Sequence, residues 1–180
     1  PWFKCRARDT FIALPGLTLS IEEQDYFELV MKTAERGLRE FMAGKPQTGY
    51  MVEVEQPDVM LWAIWAIQQY DKHAGRQKCS QMYVKLLKDI IYFILDDKHP
   101  NLVVKDNGLI YTEGREKAVT WMNSTVNGRP VVPRTGYIVE FNALWYNALK
   151  FCADVAAYSN DHVAAEKLET LADQCRTSFV

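Results

Sequence analysis

The stretch DVMLWAIWAIQQYDKH, residues 58–73, is apolar on nearly every side until its last turn. A helix with that pattern is buried on several faces. Pro57 stands just ahead of it, suited to a first helical position. Past a loop around Gly75 the text changes character. Residues 79–97 place Met82, Leu86, Ile90, Phe93 and Ile94 at helical spacing on one face and polar residues on the other. An interior helix, a short turn and an exterior helix together predict a helical hairpin.

The same alternation extends in both directions. Upstream, an apolar helix is expected over residues 11–19, with Asp9 or Thr10 as N-cap and a kink or early end at Pro15-Gly16. An amphipathic helix follows over about residues 21–43. It opens on a capping box of Ser20 and Glu23, is striped by Phe27, Val30, Met31, Ala34, Leu38 and Phe41, and ends at Gly44. Residues 45–56 read as a connection, extended over 50–54. Downstream, Phe141, Leu144, Trp145, Ala148, Cys152 and Val155 stripe an apolar helix over residues 139–159. An amphipathic helix over 162–178, with Ala165, Leu168, Leu171, Ala172 and Cys175 on one side, closes the chain. Three hairpins without a fixed-period repeat, joined by unequal linkers, predict an all-α fold of the α/α-toroid type rather than an open array. Three hairpins are about half of the usual ring, and the chain opens and closes in mid-pattern at PWFKCRARDTF and TSFV. One partial toroid domain over residues 1–180 is expected, with self-association through two uncovered flanks.

Hydrophobic residues make up 48% and charged residues 24%, and the net charge of −2 argues against a nucleic-acid partner. No run of about 18 apolar residues is present to span a bilayer, so no membrane partner is expected. Cys5, Cys79, Cys152 and Cys175 show neither metal spacing nor a close pair, which predicts free thiols in a reducing, cytoplasmic compartment. His73, His99 and His162 are scattered, and no nucleophile elbow or phosphate-cradling glycine loop occurs. The chemistry left is that of carboxylates, with no metal or organic cofactor expected.

Between Gly108 and the helix at residue 139 no helical period is sustained. Long irregular segments in helical domains usually bind or catalyse. This one sets Trp121, Asn123, Asn127, Arg129 and Arg134 among glycines and prolines. Flat aromatic faces, amide and guanidinium forks and carboxylates are what recognition of a sugar requires. Trp121 is the candidate for stacking on a pyranose ring, whereas Trp145 lies in a helical stripe and reads as core. Trp2 and Trp62 fit either purpose, and Asn142 reads as a cap or a hydroxyl ligand. Asp9, Asp58 and Glu140 each fall at or near the start of an apolar helix, where an acid stabilises the terminus by roughly 0.3–1 kcal/mol. In a ring of hairpins the inner helices are parallel, so these acids, Arg8 and the long loop would meet at one mouth.

The segments RDTFIALPGLTL, PDVMLWAIWAIQQY, VTWMNS and GRPVVPRTGYIVEFNALWYNAL, in this order, resemble the C-terminal glucosidase domain of glycogen debranching enzymes. The resemblance covers nearly the whole chain. It implies an (α/α)6 toroid related to glucoamylases and an amylo-α-1,6-glucosidase activity on glycogen or α-glucan oligosaccharides. By the family pattern, Arg8 and Asp9 hold hydroxyls of the terminal glucose, Asp58 and Trp62 line the cleft, and Glu140 and Asn142 face the substrate. Arg134 joins the substrate-binding set. The family's WMD segment, whose Asp is the expected general acid, is matched by Trp121, Met122 and Asn123. An amide cannot protonate a leaving glycosidic oxygen. Glu140, or less favourably Glu113 or Glu116, would then take that role, or this branch binds without cutting. The family's catalytic base is expected beyond Val180.

Overall fold

The computed structural model describes residues 4–46 and 51–179. Its described residues form six α-helices, a short 3-10 turn and three two-stranded sheets. Two compact units divide the chain: residues 1–55 with 59–90, and residues 56–58 with 91–180.

The first unit opens with β1 (Cys5–Arg6), which pairs in parallel with β2 (Met51–Val52). Between them run α1 (Ala7–Thr18) and α2 (Gln24–Met42). The helix α1 starts two residues ahead of Asp9, because Arg6, held by the strand pairing, takes the N-cap position. Asp9 and Thr10 therefore lie inside the first turn, and Thr10 Oγ1 donates to Arg6 O at 2.8 Å. The expected cap at Asp9 or Thr10 is not formed. Pro15 sits within α1 without ending it at once; its carbonyl accepts the Leu19 N–H, and the helix tightens into a 3-10 turn at Leu19–Ile21. That turn displaces the expected capping box. Ser20 Oγ donates back to Gly16 O, and Glu23 occupies the N-cap of α2 with no side-chain cap bond. The predicted stripe of α2 holds: Phe27, Met31, Ala34 and Leu38 are fully buried. Of the expected extended segment over 50–54, Met51–Val52 is strand and residue 50 lies outside the described residues.

Next come α3 (Val59–Ala74) and α4 (Arg76–Leu95), joined by Gly75 alone. Pro57 precedes the first helical residue rather than occupying it. Val59, Met60, Leu61, Ala63, Ile64, Ala66, Ile67 and Tyr70 are buried, so α3 is interior on several sides as its sequence predicts. Each large apolar side chain so buried contributes roughly 1.5–3 kcal/mol. α1 packs directly on α3. On the amphipathic helices, Arg39 of α2 pairs with Asp89 of α4 at 2.6 Å, and Lys78 of α4 with Glu28 of α2 at 2.8 Å. Interior against interior and exterior against exterior is how neighbouring helical hairpins stack.

In the second unit, β3 (Val103–Val104) and β4 (Ile110–Tyr111) form an antiparallel hairpin, as do β5 (Thr125–Val126) and β6 (Arg129–Pro130). A bridge between Thr112 and Gly136 ties the two ends of the intervening loop. Then α5 (Val139–Tyr158) and α6 (His162–Phe179) pack along each other. Trp145, Ala148 and Leu149 of α5 are fully buried, with Ala172 and Cys175 of α6. All four cysteines are free thiols, three of them buried. Burial pushes the Cys79 thiol up to about 12 and that of Cys175 to about 11, which leaves both unreactive. No helix among the described residues is long and apolar enough to cross a membrane.

Candidate functional site

The loop between β4 and α5 is less irregular than its sequence reads. The bridge at Thr112–Gly136 brings Glu113 and Thr135 together, and Thr135 Oγ1 donates to Glu113 Oε1 at 2.8 Å while accepting the Gly114 N–H at 2.9 Å. Gly114 is indispensable there, because a Cβ at that position would lie 2.1 Å from Arg134 O. The chain can pass close beneath Arg134 only without a side chain. At the far end of the loop Asn127 and Gly128 both take positive φ, 51° and 78°, the primed turn that suits a two-residue hairpin. The Asn-Gly dipeptide is the sequence signal for that hairpin.

Glu140 stands in the first turn of α5, four residues after the loop's bridge. Arg134 grips it bidentately: Nη1 donates to Oε1 and Nη2 to Oε2, the second bond at 2.9 Å. The Trp121 indole lies near the same carboxylate and favours its charged form more weakly than Arg134 does. Partial burial works to raise the Glu140 pKa, but the Arg134 fork, with the backbone N–H of Glu140, outweighs it and holds the carboxyl below its ordinary value of 4.5. The group is thus an ionised acceptor in this arrangement, and a poor proton donor. Trp121 remains 64% exposed, so most of its surface is open to solvent. Asn123, two residues on, is exposed and makes no hydrogen bond among the described residues. The sequence singled out Trp121, Arg134 and Glu140 separately; the structure joins them into one cluster.

Asn142 lies one turn-face away and is 1% exposed. Its Oδ1 accepts the Ile110 N–H at 2.8 Å, and its Nδ2 donates to Ile110 O and Ile138 O. Both amide hydrogens are thereby spent on backbone. Neither expected role, cap or hydroxyl ligand, describes it: Asn142 fastens β4 to the start of α5. Trp145 is core, as its stripe predicts, and donates from Nε1 to Gly108 O at 3.1 Å. The alternative acids are exposed. Glu113 accepts from Thr135 and the Arg115 N–H, which hold it below the usual carboxylate range, and Glu116 faces Arg129 at 3.7 Å. Asp58 is buried, 2% exposed, immediately before α3 in the chain.

Arg8, Asp9 and Trp62 belong to the first unit. Consecutive helical residues point about 100° apart, and Arg8 is buried while Asp9 is exposed. Trp62 is half-buried and meets Trp65 edge to face at 5.5 Å. Trp2 lies outside the described residues. The aromatic that sequence reasoning missed is Tyr137, three residues before Glu140 and 48% exposed. Its signal was a tyrosine directly after Gly136 in a loop entering a helix.

A family model described as amylo-alpha-1,6-glucosidase matches residues 1–180. No curated protein and no solved structure gives a significant match. With the carboxylate cluster in place at the WMNS and VEFN segments and the match running over its whole length, the chain belongs to the amylo-α-1,6-glucosidase family, the C-terminal glucosidase domain of glycogen debranching enzymes.

Proposed function

We propose that this chain acts in the hydrolysis of α-1,6-linked glucose at trimmed branch points of glycogen or a related α-glucan, in the cytoplasm and within an α/α toroid of which it supplies about three hairpins. The observation that carries this reading is the Trp121–Arg134–Glu140 cluster: an open aromatic face beside an ionised, oriented carboxylate and a guanidinium fork. Trp121 stacks on the sugar, and Arg134 and Glu140 read its hydroxyls or orient the attacking water. Arg8, Asp9 and Trp62 of the first unit and Asp58 of the second are assigned to sugar binding by the family resemblance. The stacking of α1 on α3 supports the toroid. Glycoside hydrolysis needs one carboxyl to protonate the leaving oxygen and one carboxylate to act on water or the anomeric carbon. Glu140 suits an acceptor role, and Asn123 suits neither.

The test is glucose release from a limit dextrin by the intact protein. Glu140→Gln removes a charged acceptor and lowers kcat/KM about 10- to 100-fold. Asn123→Ala and Asn123→Asp leave the rate near that of the wild type, because the proton comes from another carboxyl. A second reading, a glucan-binding relative without hydrolysis, is favoured by the amide at position 123. It requires no glucose release from the wild type, oligosaccharide binding by calorimetry, and activity gained in Asn123→Asp. A protein that neither releases glucose nor binds the glucan would sink both readings.

A further inference from the structure

The turn of the β3–β4 hairpin borders a cleft of about 530 Å³, lined by Val103, Val104, Lys105, Asp106, Asn107 and Tyr137. That volume falls in the range of small-molecule sites, roughly 300–1,000 Å³. The turn is held unusually firmly for a surface loop. Gln174 Nε2 and Ser178 Oγ of α6 donate to the carbonyls of Asp106 and Asn107, the latter at 2.7 Å, and Trp145 holds Gly108 O. A Cβ on Gly108, which has φ +79°, would meet Cys175 N at 3.0 Å, so the turn lies tight against α6. With their carbonyls tied inward, the side chains of the turn are left for other uses. The Asp106 carboxylate is exposed and makes no bond among the described residues, and Asn107 uses only Oδ1, accepting the Leu109 N–H.

Tyr137 forms the wall. Tyr111 braces its ring edge to face at 5.7 Å, and Lys105 Nζ lies 5.2 Å from the centre of the Tyr111 ring. One tyrosine is thus the support and the other the open surface, with nearly half of Tyr137 exposed. An aromatic face fixed in orientation, next to an uncommitted carboxylate, an amide and an ammonium, offers stacking for the C–H face of a pyranose and hydrogen bonds for its hydroxyls. Three residues separate Tyr137 from Glu140, so their Cα atoms stand no more than about 11 Å apart.

We infer that this cleft is a second glucose subsite, in which Tyr137 stacks on a ring of the α-1,4-linked chain adjoining the branch while Asp106 and Asn107 bind its hydroxyls. The subsite rests on the glucan reading of the Glu140 cluster but is separable from it. It binds chain length, whereas that cluster handles the glucose to be released.

The experiment is calorimetry of the intact protein with maltoheptaose, run beside glucose release from isomaltose, which carries no α-1,4-linked chain for the cleft. Tyr137→Ala weakens maltoheptaose binding roughly 5- to 10-fold, Tyr137→Trp restores it, and isomaltose turnover is unchanged. Asp106→Ala, a change at an exposed side chain with no internal bond, weakens maltoheptaose binding about 3-fold or more and guards against misfolding of the tyrosine variant. Maltoheptaose affinity unchanged in Asp106→Ala and in folded Tyr137→Ala, or absent in the wild type, overturns the subsite. Absence of isomaltose turnover alongside intact, Tyr137-dependent maltoheptaose binding counts against hydrolysis and leaves the subsite standing.

Discussion

Two carboxylates, one in each unit, are held in similar ways by donors of different origin. Glu28 of α2 collects three donors on one oxygen: Tyr70 Oη at 2.6 Å, Lys78 Nζ at 2.8 Å and Gln24 Nε2 at 2.8 Å. Glu140 collects the Arg134 fork, with the Trp121 indole near it. In both, burial pushes the pKa up and the donors more than reverse it. A depressed carboxyl therefore does not mark a functional site by itself. The source of the donors differs. Those of Glu28 stand on helices, and Tyr70 is fully buried, stacked on Phe27 at 5.0 Å. The fork on Glu140 comes from a loop, whose Trp121 nearby turns its face to solvent.

The strongest way to break this comparison is Tyr70→Ala. It removes a fully buried ring and one donor to Glu28, and is expected to cost about 3–5 kcal/mol in urea unfolding. Glucan affinity of the folded fraction should be unchanged; a matching fall in affinity would show that the Glu28 cluster is also functional. Next in size is an effect that belongs to neither carboxylate. Burial of His99, which packs edge-on against Phe93, pushes its imidazole down to about 4 from 6.5. Between those values the unfolded chain binds the proton and the folded chain does not, so stability rises with pH across that window. Acidification from pH 6.5 to 4 should cost about 3 kcal/mol, and His99→Gln should flatten the profile. Both carboxyls, lying below 4.5 in the fold, contribute stability that is complete above that value and is lost only as pH falls through their lowered pKa values. An unchanged slope in His99→Gln would move the effect to another group. The smallest and sharpest contrast is Glu28→Gln against Glu140→Gln. The first should cost about 1–2 kcal/mol of stability with glucan binding intact, and the second should lose binding or turnover with little change in midpoint.

The helices were legible because their stripes repeat over four or five turns, long enough for the period to outweigh any single residue. Their starts were not. The strand pair at Cys5–Arg6 and Met51–Val52 moves the start of α1 to Ala7, and no local signal near Asp9 encodes a partner some 45 residues away. Ser20 and Glu23 have the spacing of a capping box, but the 3-10 turn left by Pro15 spends the serine on Gly16 O. At the site, residue types were readable and pairings were not. Trp121 and Arg134 were singled out for what they can do, and neither the Arg134–Glu140 pairing nor the close pass of Gly114 under the Arg134 carbonyl has a local pattern in the text. Asn142 shows the converse, an amide that looks free to bind a ligand in sequence and is wholly engaged by the backbone of Ile110 and Ile138.

The tethered β3–β4 turn also sets a timetable for synthesis. Its fastenings come from residues 37, 68 and 71 positions away in the chain, at Trp145, Gln174 and Ser178. A ribosome emitting about 5–20 residues per second leaves the hairpin unpinned for several seconds after it emerges, until the last turns of α6 arrive. During that interval Val103, Val104, Ile110 and Tyr111 are two bare strand edges of a nascent chain. Helix α6 is thus both a structural member and the moment at which this hairpin is closed.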